Sequence, residues 1–208
     1  MSDTVAYRWS KRTLDVVVAG GGLVLLSPLL LVVAVVVRVG VGSPILFRQV
    51  RPGRGARPFT LLKFRTMRGD GSTGVGSDAA RITRVGAALR ATSLDELPSL
   101  VNVVRGEMSL VGPRPLLVQY LDRYTPEQAR RHEVKPGVTG LAQVRGRNAL
   151  DWDTRLSLDV EYVDTCSFGL DLGILLESVS AVVRRHGIVA PGTVSAIEFR
   201  GSDAGGRT

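Results

Sequence analysis

The longest apolar segment of the sequence lies close to the amino terminus. Residues 16–37 carry no charged side chain, and as a straight helix these 22 residues would measure about 33 Å, enough to cross the hydrocarbon core of a bilayer. Ser27 and Pro28 interrupt the segment near its middle. Because proline cannot donate a backbone hydrogen bond and clashes with the preceding turn, the pattern predicts a break there. Each arm would then have about 11 residues and a length of about 17 Å, too short to cross a bilayer alone.

Both flanks of this segment are strongly basic. The positive-inside rule favours the cytoplasmic side for such flanks. A re-entrant hairpin, which enters one leaflet and returns, satisfies the rule on both sides, whereas a spanning helix violates it on one. A kinked spanning helix stays open as the alternative, since membranes tolerate proline kinks. The basic residues are Arg8, Lys11 and Arg12 before the segment, and Arg38, Arg48, Arg51, Arg54, Arg57, Lys63, Arg65 and Arg68 after it, with no acid among residues 38–69.

The rest of the pattern predicts a mostly helical α+β domain. Two β-prone runs, residues 44–50 and 58–64, are joined by a turn-rich linker and predict a β-hairpin. The glycine- and serine-rich residues 70–78 predict a loop, and the polar stretch 135–152 is expected to be irregular. Helical periodicity is present in residues 79–91, 98–104, 115–124, 126–133, 154–166 and 171–186.

The last of these helices carries an apolar stripe at helical spacing. Such a stripe packs either in the core of a domain or in a membrane interface, and the core is the commoner place. Its members are Leu172, Leu175, Leu176, Val179, Val182 and Val183.

Composition and charge narrow the classes of function. The 208 residues suit one domain with a hydrophobic core. The net charge is +8, and 24 of the 27 basic residues are arginine, which suits an anionic partner such as nucleic acid, a phosphorylated substrate or lipid headgroups. The single cysteine, Cys166, excludes a disulfide framework and a cysteine-based zinc site. His132 and His186 are far apart in sequence, so a metal site built on clustered histidines is not expected. Walker A, dinucleotide-binding and serine-hydrolase motifs are absent from the sequence.

Asp95 and Glu96 are the first candidates for chemistry. Ser93 and Glu96 match a capping box, in which case the acids only stabilise a first helical turn. Pro98 complicates that interpretation, because proline costs hydrogen bonding beyond the first turn. If Pro98 instead begins the helix, Asp95 and Glu96 lie in the approach to its N-terminus. In both cases the carboxylates face the positive end of a helix and are expected to stay ionised. An ionised aspartate can attack phosphorus to form an acyl phosphate, while its neighbour serves as metal ligand or base.

Three basic motifs are candidates for binding phosphate. Arg114 lies between two prolines, which fix the backbone and prepare the guanidinium for bidentate contact. Lys63 and Arg65 share one face of a predicted strand. The loop 135–148 frees its backbone with glycines and offers side-chain donors to phosphate or base. Each motif also fits an ordinary surface turn or a solvated strand face. The donors of the loop are Arg145, Arg147 and Asn148.

The motifs follow one another in a specific order along the chain. They are Lys11-Arg12-Thr-Leu-Asp15, Ser27-Pro28, Lys63-Phe-Arg-Thr-Met67, Ser93-Leu-Asp-Glu-Leu97, Asn102 with Glu107-Met-Ser-Leu-Val-Gly-Pro-Arg-Pro115, and Lys135-Pro-Gly-Val-Thr-Gly-Leu-Ala-Gln-Val144. In this order and spacing, over residues 8–199, the chain closely resembles the small monotopic phosphoglycosyl transferases, the bacterial sugar transferase family that starts lipid-linked glycan assembly. Two positions depart from the pattern: Arg145 stands where relatives often carry asparagine, and Gly173 where lysine is common.

The resemblance implies a membrane enzyme with assigned residues. It implies a re-entrant helix broken at Ser27 and Pro28, a covalent nucleophile in Asp95, and a partner in Glu96 that acts through Mg²⁺ as a metal ligand. The enzyme would move a sugar 1-phosphate from a UDP-sugar to polyprenyl phosphate and release UMP. The residues expected at substrate phosphates or nucleotide are Lys63, Arg90, Arg114 and Arg147, with Asp171 as a further acid of the active site.

The resemblance also implies an organisation for the chain. Residues 1–40 would form the membrane hairpin, residues 41–200 a catalytic domain with interfacial amphipathic helices at the cytoplasmic face of the bacterial plasma membrane, and residues 201–208 a flexible tail. Membrane lipids are expected partners and nucleic acid is not, while the sugar, the carrier length and the oligomeric state stay open. The alternative from another class is a non-catalytic, membrane-anchored basic module, which explains the charge and the apolar segment but not the ordered acidic and Pro-Arg-Pro motifs.

Overall fold

The computed structural model describes residues 5–69, 81–146, 150–183, 198–199 and 201. It has the mostly helical α+β architecture predicted from the sequence, whereas the predicted loop 70–78 and most of the predicted tail lie outside the described residues. The helices and strands are α1 (Val5–Leu25), α2 (Ser27–Gly40), β1 (Leu46–Pro52), β2 (Pro58–Phe64), α3 (Arg84–Ala91), α4 (Ser99–Arg105), β3 (Ser109–Val111), α5 (Pro126–Ala129), β4 (Gly137–Thr139), α6 (Leu141–Arg145), α7 (Trp152–Thr165) and α8 (Phe168–Val183), and short 3₁₀ helices cover Arg54–Ala56, Leu94–Glu96, Val118–Arg123 and Arg130–His132.

The apolar segment is a bent helix pair. The axes of α1 and α2 differ by 64°, and the predicted break at Ser27-Pro28 is confirmed. Pro28 lies in the first turn of α2, where its missing N–H has no helical partner to lose, and the Ser27 hydroxyl donates to the Val24 carbonyl at 2.7 Å. Among the described residues, no single helix is both long and apolar enough to cross a membrane, whereas α1 and α2 together pass that test by length and composition.

One side of the bent pair packs on the rest of the domain. Ala19 of α1 joins the main hydrophobic core with Val103 of α4, and Val33 and Val37 of α2 pack with Phe64 of β2 in a second core. The other side leaves large apolar side chains exposed. They are Val16, Val17, Val18, Val24 and Leu25 of α1, and Leu29, Leu31, Val32, Val35, Val36 and Val39 of α2.

The predicted β-hairpin is confirmed. Strands β1 and β2 pair antiparallel with Leu46 opposite Phe64 and Pro52 opposite Pro58. The free edge of β2 is closed by Asn102 of α4, whose side chain accepts from the Leu62 N–H at 3.1 Å and donates to the Thr60 carbonyl at 2.8 Å. The hairpin is thereby fixed to α4, which begins just after the Asp95-Glu96 pair.

Asn102→Leu is expected to destabilise the protein by about 3 kcal/mol, because leucine leaves the buried amide and carbonyl groups of β2 without partners. Asn102 is completely buried, so water cannot replace the lost bonds. Unfolding by urea in detergent measures the change, with the exposed Gln119→Leu as the matched control. Equal midpoints for the two variants would contradict the bracing role of Asn102.

A second, two-stranded sheet was not predicted. Strands β3 and β4 pair parallel, Ser109 with Gly137 and Val111 with Thr139, so the supposedly irregular stretch 135–152 contains β4 and α6. Strands of three residues are too short to show periodicity. Two glycines permit the close backbone approach: a Cβ on Gly112 would lie 2.4 Å from the Lys135 carbonyl oxygen, and one on Gly137 would lie 2.2 Å from the Gly112 nitrogen.

The helices predicted over residues 115–124 and 126–133 are wrong in length. The chain forms the 3₁₀ helix Val118–Arg123, then one α-turn in α5, then the 3₁₀ helix Arg130–His132. The residue before a proline is disfavoured in helical conformation, and Thr125 accordingly is extended before Pro126 and caps α5 in a capping box.

The predicted apolar stripe of α8 is divided between two environments. Leu175 packs against the main core, whereas Leu172, Leu176 and Val179 are exposed. Ile174 provides the buried contact between the helix and that core. The described part of α8 therefore presents an apolar outer face in addition to its inner one.

Candidate active site

Asp95 and Glu96 lie in the 3₁₀ helix between α3 and α4. Ser93 adopts the left-handed conformation (φ 57°) immediately before them, and its side chain caps nothing. The capping-box interpretation of Ser93 and Glu96 is therefore wrong: the sharp turn at Ser93 leads into the 3₁₀ turn, and the Glu96 side chain forms ion pairs with distant residues instead.

Glu96 is held between two cations from different parts of the chain. Lys63 Nζ of β2 and Arg114 Nη2 of the loop after β3 both lie 2.6 Å from Glu96 Oε1. Burial alone would raise the pKa of Glu96, but the charges and hydrogen bonds of Arg114 and Lys63 outweigh it and hold the pKa well below its usual range. Glu96 thus stays ionised, as expected from the sequence.

Asp95 has a different environment. It is only 8% exposed, and no described residue donates a hydrogen bond to its carboxylate. Burial, reinforced by the negative charge of Glu96, raises the pKa of Asp95 to about 6, although Lys63, Arg90 and Arg114 oppose the shift. At neutral pH the Asp95 carboxylate is therefore ionised in most molecules, as expected from the sequence, and no described residue donates a hydrogen bond to it.

Arg90 lies at the edge of the same group. It is in the last turn of α3, and its Nε donates to the hydroxyl of Thr66 at 3.1 Å. Its positive charge opposes the rise in the pKa of Asp95. The structure thus brings together four of the residues predicted from the sequence around Asp95: Glu96, Lys63, Arg90 and Arg114.

Asp171 is not part of this group. It is buried between α1, α7 and α8, where it accepts from Tyr7 Oη at 2.9 Å, Lys11 Nζ at 2.7 Å and Tyr162 Oη at 2.6 Å. These contacts tie the start of α1 to the domain. Its role in binding substrate stays a prediction without support from these contacts, and Arg147 lies outside the described residues.

The two acids of the site are also possible ligands for a metal ion. The described residues contain no group of three or more histidine, cysteine, aspartate or glutamate side chains that could hold one. Mg²⁺ is commonly held by one or two carboxylates together with substrate phosphates, and Asp95 and Glu96 supply two adjacent carboxylates. Among the described residues, Glu96 Oε2 accepts only one long contact, at 3.5 Å from Arg114 Nη1, so it retains capacity to bind a cation. The residues present therefore fit Mg²⁺ shared with a phosphorylated substrate.

Some residues of the site were not predicted from the sequence. Thr66, which accepts from Arg90, lies inside a motif that was noted only for its basic residues. Arg131 and Asp159, which are buried as a pair behind Arg114, have no local signal, because they are 28 positions apart and belong to different helices.

A nearby histidine gives the stability of the fold a pH dependence. Burial lowers the pKa of His132 to about 4, with the charge of Arg131 adding to the effect. Since the unfolded histidine titrates near pH 6.5, the unfolded chain takes up this proton first, and stability should fall as the pH drops from about 6.5 to about 4. His132→Gln should flatten this part of a thermal-stability profile. A slope that persists unchanged in the variant would contradict the assignment.

A buried aspartate with a raised pKa beside a glutamate held by two cations is the kind of perturbed acid pair that is found at functional sites. The chain belongs to the bacterial sugar transferase family, whose model matches residues 6–185.

The names of similar proteins agree with the assignment of the chain to this family. The chain is 50% identical to "uncharacterized sugar transferase EpsL" of Bacillus subtilis over 92% of this chain and 96% of that protein. It is 45% identical to a UDP-glucose:undecaprenyl-phosphate glucose-1-phosphate transferase of Caulobacter vibrioides, over 86% of this chain and 72% of the relative. It is 38% identical to the exopolysaccharide production protein ExoY of Sinorhizobium fredii, over 86% and 87% of the two chains. The protein is thus a sugar-phosphate transferase of this family.

Proposed function

We propose that this protein moves a sugar 1-phosphate from a UDP-sugar to a polyprenyl phosphate of the undecaprenyl type, with release of UMP, as the first membrane step of glycoconjugate or exopolysaccharide synthesis. The observation that carries the proposal is the unengaged Asp95 carboxylate beside a Glu96 fixed by Lys63 and Arg114. The names of the relatives supply the substrate class: UDP-glucose and undecaprenyl phosphate in one, exopolysaccharide production in another.

In the first step a carboxylate oxygen of Asp95 attacks the phosphorus that bears the sugar. The bond from this phosphorus to the oxygen bridging the two phosphates breaks, and UMP leaves with that oxygen and its electron pair. The sugar phosphate stays on Asp95 as an acyl phosphate. Lys63 and Arg114 are placed to offset negative charge beside the reacting group, which in phosphoryl transfer is the main contribution a protein makes.

In the second step the polyprenyl phosphate takes the sugar phosphate from Asp95. A phosphate oxygen of the lipid attacks the same phosphorus, the acyl phosphate bond breaks, and the Asp95 carboxylate is restored. The product is a sugar attached to a polyprenyl diphosphate. No proton is lost or gained overall if both phosphates react as anions. Glu96 stays ionised throughout and keeps the two cations in place.

Glu96, next to the nucleophile Asp95, would hold Mg²⁺ together with the diphosphate of the donor. When bound, the ion supplies charge neutralisation of the phosphate oxygens. Lys63 and Arg114 keep Glu96 ionised, and Glu96 Oε2 retains capacity to bind the ion.

We further propose that α1 and α2 form a re-entrant hairpin in the cytoplasmic leaflet. The bend of 64°, the exposed apolar sides of both helices and the two basic flanks support this arrangement. The exposed outer face of α8 suits contact with the same membrane surface. Such a placement brings a donor from water and an acceptor from lipid to one site.

Release of UMP tests the function. Purified protein in detergent, with Mg²⁺ and polyprenyl phosphate, is expected to release UMP from at least one member of a panel of UDP-sugars, and the reactive donor identifies the sugar. Absence of UMP with every donor would contradict a UDP-sugar as the donor.

Cysteine labelling tests the hairpin. In a Cys166→Ser background, a cysteine placed before Tyr7 and a cysteine at Ser43 are both expected to resist a membrane-impermeant maleimide in intact cells and to react after permeabilisation. The reason is that a hairpin keeps both ends on the cytoplasmic side, whereas a spanning helix exposes one. Labelling of the site before Tyr7 in intact cells would establish the spanning alternative.

A further inference from the structure

The loop that carries Arg114 is held by its carbonyl groups. Its two prolines have no N–H to donate, so backbone restraint at these positions has to come from donors elsewhere. Three successive carbonyls receive such donors: Pro113 from the Gly137 N–H at 3.0 Å, Arg114 from Arg131 Nη2 at 2.7 Å, and Pro115 from Arg51 Nη1 at 3.3 Å. Two of the three donors are arginine side chains.

Arg131 is itself fixed from several sides. It is 2% exposed, and its partner Asp159 of α7 is 3% exposed. Arg131 Nε and Nη2 lie 3.0 Å and 2.7 Å from Asp159 Oδ2, and Nη1 lies 3.3 Å from the hydroxyl of Tyr124. All three nitrogens of the guanidinium are therefore engaged, and Nη2 is shared between Asp159 and the Arg114 carbonyl.

A gain in stability alone does not explain why Arg131 and Asp159 are buried as an ion pair. Removing two charges from water costs much of what their attraction returns, and apolar replacements of both partners are often tolerated. The pair lies directly behind an arginine whose side chain meets Glu96, and Arg131 Nη2 donates to the backbone carbonyl of that arginine. The position of this ion pair therefore indicates a role in the active site rather than in stabilising the core.

We propose that Arg131, oriented by Asp159, is a positioning residue that fixes the backbone of Arg114 and so sets its guanidinium against Glu96. The chain of contacts runs from Asp159 through Arg131 to the Arg114 carbonyl, and from the Arg114 side chain to Glu96 at 2.6 Å. This inference rests on the proposed function for its effect on turnover, but the contact it describes can be measured without turnover.

Arg131→Lys is the main test variant, because it keeps the charge and replaces three nitrogens with one. The matched control is Arg130→Lys, on the same 3₁₀ turn, whose side chain pairs with Glu127, Glu133 and Asp164 at the surface. Both proteins are labelled with ¹⁵N-arginine in detergent, and the Nε–Hε signal of Arg114 is assigned by its loss in Arg114→Lys. We expect this signal to move towards that of solvent-exposed arginines in Arg131→Lys and to stay in place in Arg130→Lys.

Turnover provides the second readout. UMP release is expected to fall by about 10- to 100-fold in Arg131→Lys, because small displacements of a positioned group have effects of that size. If Arg131 acts through Arg114, the double variant with Arg114→Lys should be no slower than Arg114→Lys alone, since coupled residues are not additive. A purely structural residue would give losses that multiply.

The outcomes separate the two hypotheses. An unmoved Arg114 signal with Arg131→Lys, or losses that multiply in the double variant, overturns the positioning role. A wild-type protein that releases no UMP counts against the proposed function alone, because the Arg114 signal still decides the inference. If Arg131→Lys does not fold, the pair Arg131→Met with Asp159→Leu removes both buried charges together and is read by the same two measurements. In that protein too, an unmoved signal overturns the proposal.

Discussion

Asp95→Asn is expected to abolish sugar-phosphate transfer while the protein still folds and associates with lipid. Asparagine is close in size to aspartate, but its amide oxygen is a poor nucleophile, so turnover should fall by at least about 10⁴-fold. Intact-protein mass spectrometry checks the chemistry directly. Wild-type protein mixed with Mg²⁺ and the reactive UDP-sugar should gain the mass of one sugar phosphate, and the variant should gain nothing. Binding to anionic vesicles should be equal for the two proteins.

The same variant is expected to be more stable than the wild type at neutral pH. Burial raises the pKa of Asp95 from 3.8 to about 6, so the folded protein holds an ionised carboxylate where charge is disfavoured. Because the folded pKa lies above the unfolded one, the penalty is fully present above pH 6 and disappears towards pH 4, where both states bind the proton. A gain of about 2 kcal/mol at pH 7, measured in EDTA and vanishing near pH 4, is the expected result.

Asp122→Asn is the matched control for both measurements, because Asp122 is exposed on the 3₁₀ helix Val118–Arg123. It should change neither turnover nor the stability profile. Release of UMP only after polyprenyl phosphate is added, with no protein adduct at any time, would point to direct transfer and leave Asp95 a supporting role. A stable variant without activity separates loss of chemistry from loss of folding.

Local signals explain which parts of the fold could be predicted. The break at Ser27-Pro28 and the hairpin of β1 and β2 follow from residues adjacent in sequence, namely a proline inside an apolar run and a turn-rich linker between two β-prone runs. The sheet of β3 and β4 could not be predicted, because each strand has three residues and the pairing depends on glycines about 25 positions apart that let two backbones approach. Such a contact exists only in the folded chain.

The site shows the same division between local and distant information. Asp95 and Glu96 are neighbours and could be identified together, and Lys63 and Arg114 could be identified as cations for phosphate. That both cations converge on one oxygen of Glu96 was not predicted, since sequence spacing does not show which side chains meet. The opposite pKa directions of the two acids depend on that convergence. The roles of the two carboxylates therefore had to come from the structure.

Glu96→Gln is expected to impair both activity and stability, in contrast to Asp95→Asn. Glutamine offers no negative charge, so Lys63 and Arg114, whose nitrogens both lie 2.6 Å from Glu96 Oε1, would lose the counter-ion that contacts both of them and keep only the more distant charge of Asp95. Turnover should fall by about 100- to 1,000-fold, the size typical for losing an oriented electrostatic contact. Stability at pH 7 should fall by about 2 kcal/mol, less than for a fully buried pair because the three side chains retain some exposure to water.

Glu96→Asp and the exposed Glu161→Gln complete the comparison. The shorter acid keeps the charge and should recover most of the stability but only part of the turnover, because the cations have to move to reach it. Glu161→Gln should match the wild type in both. A Mg²⁺ titration then tests the second role of Glu96: a metal ligand predicts that Glu96→Asp needs more Mg²⁺ for half-maximal activity. An unchanged Mg²⁺ requirement would restrict Glu96 to holding Lys63 and Arg114, and opposite stability changes in the Asp95 and Glu96 variants would still show that the two acids have different roles.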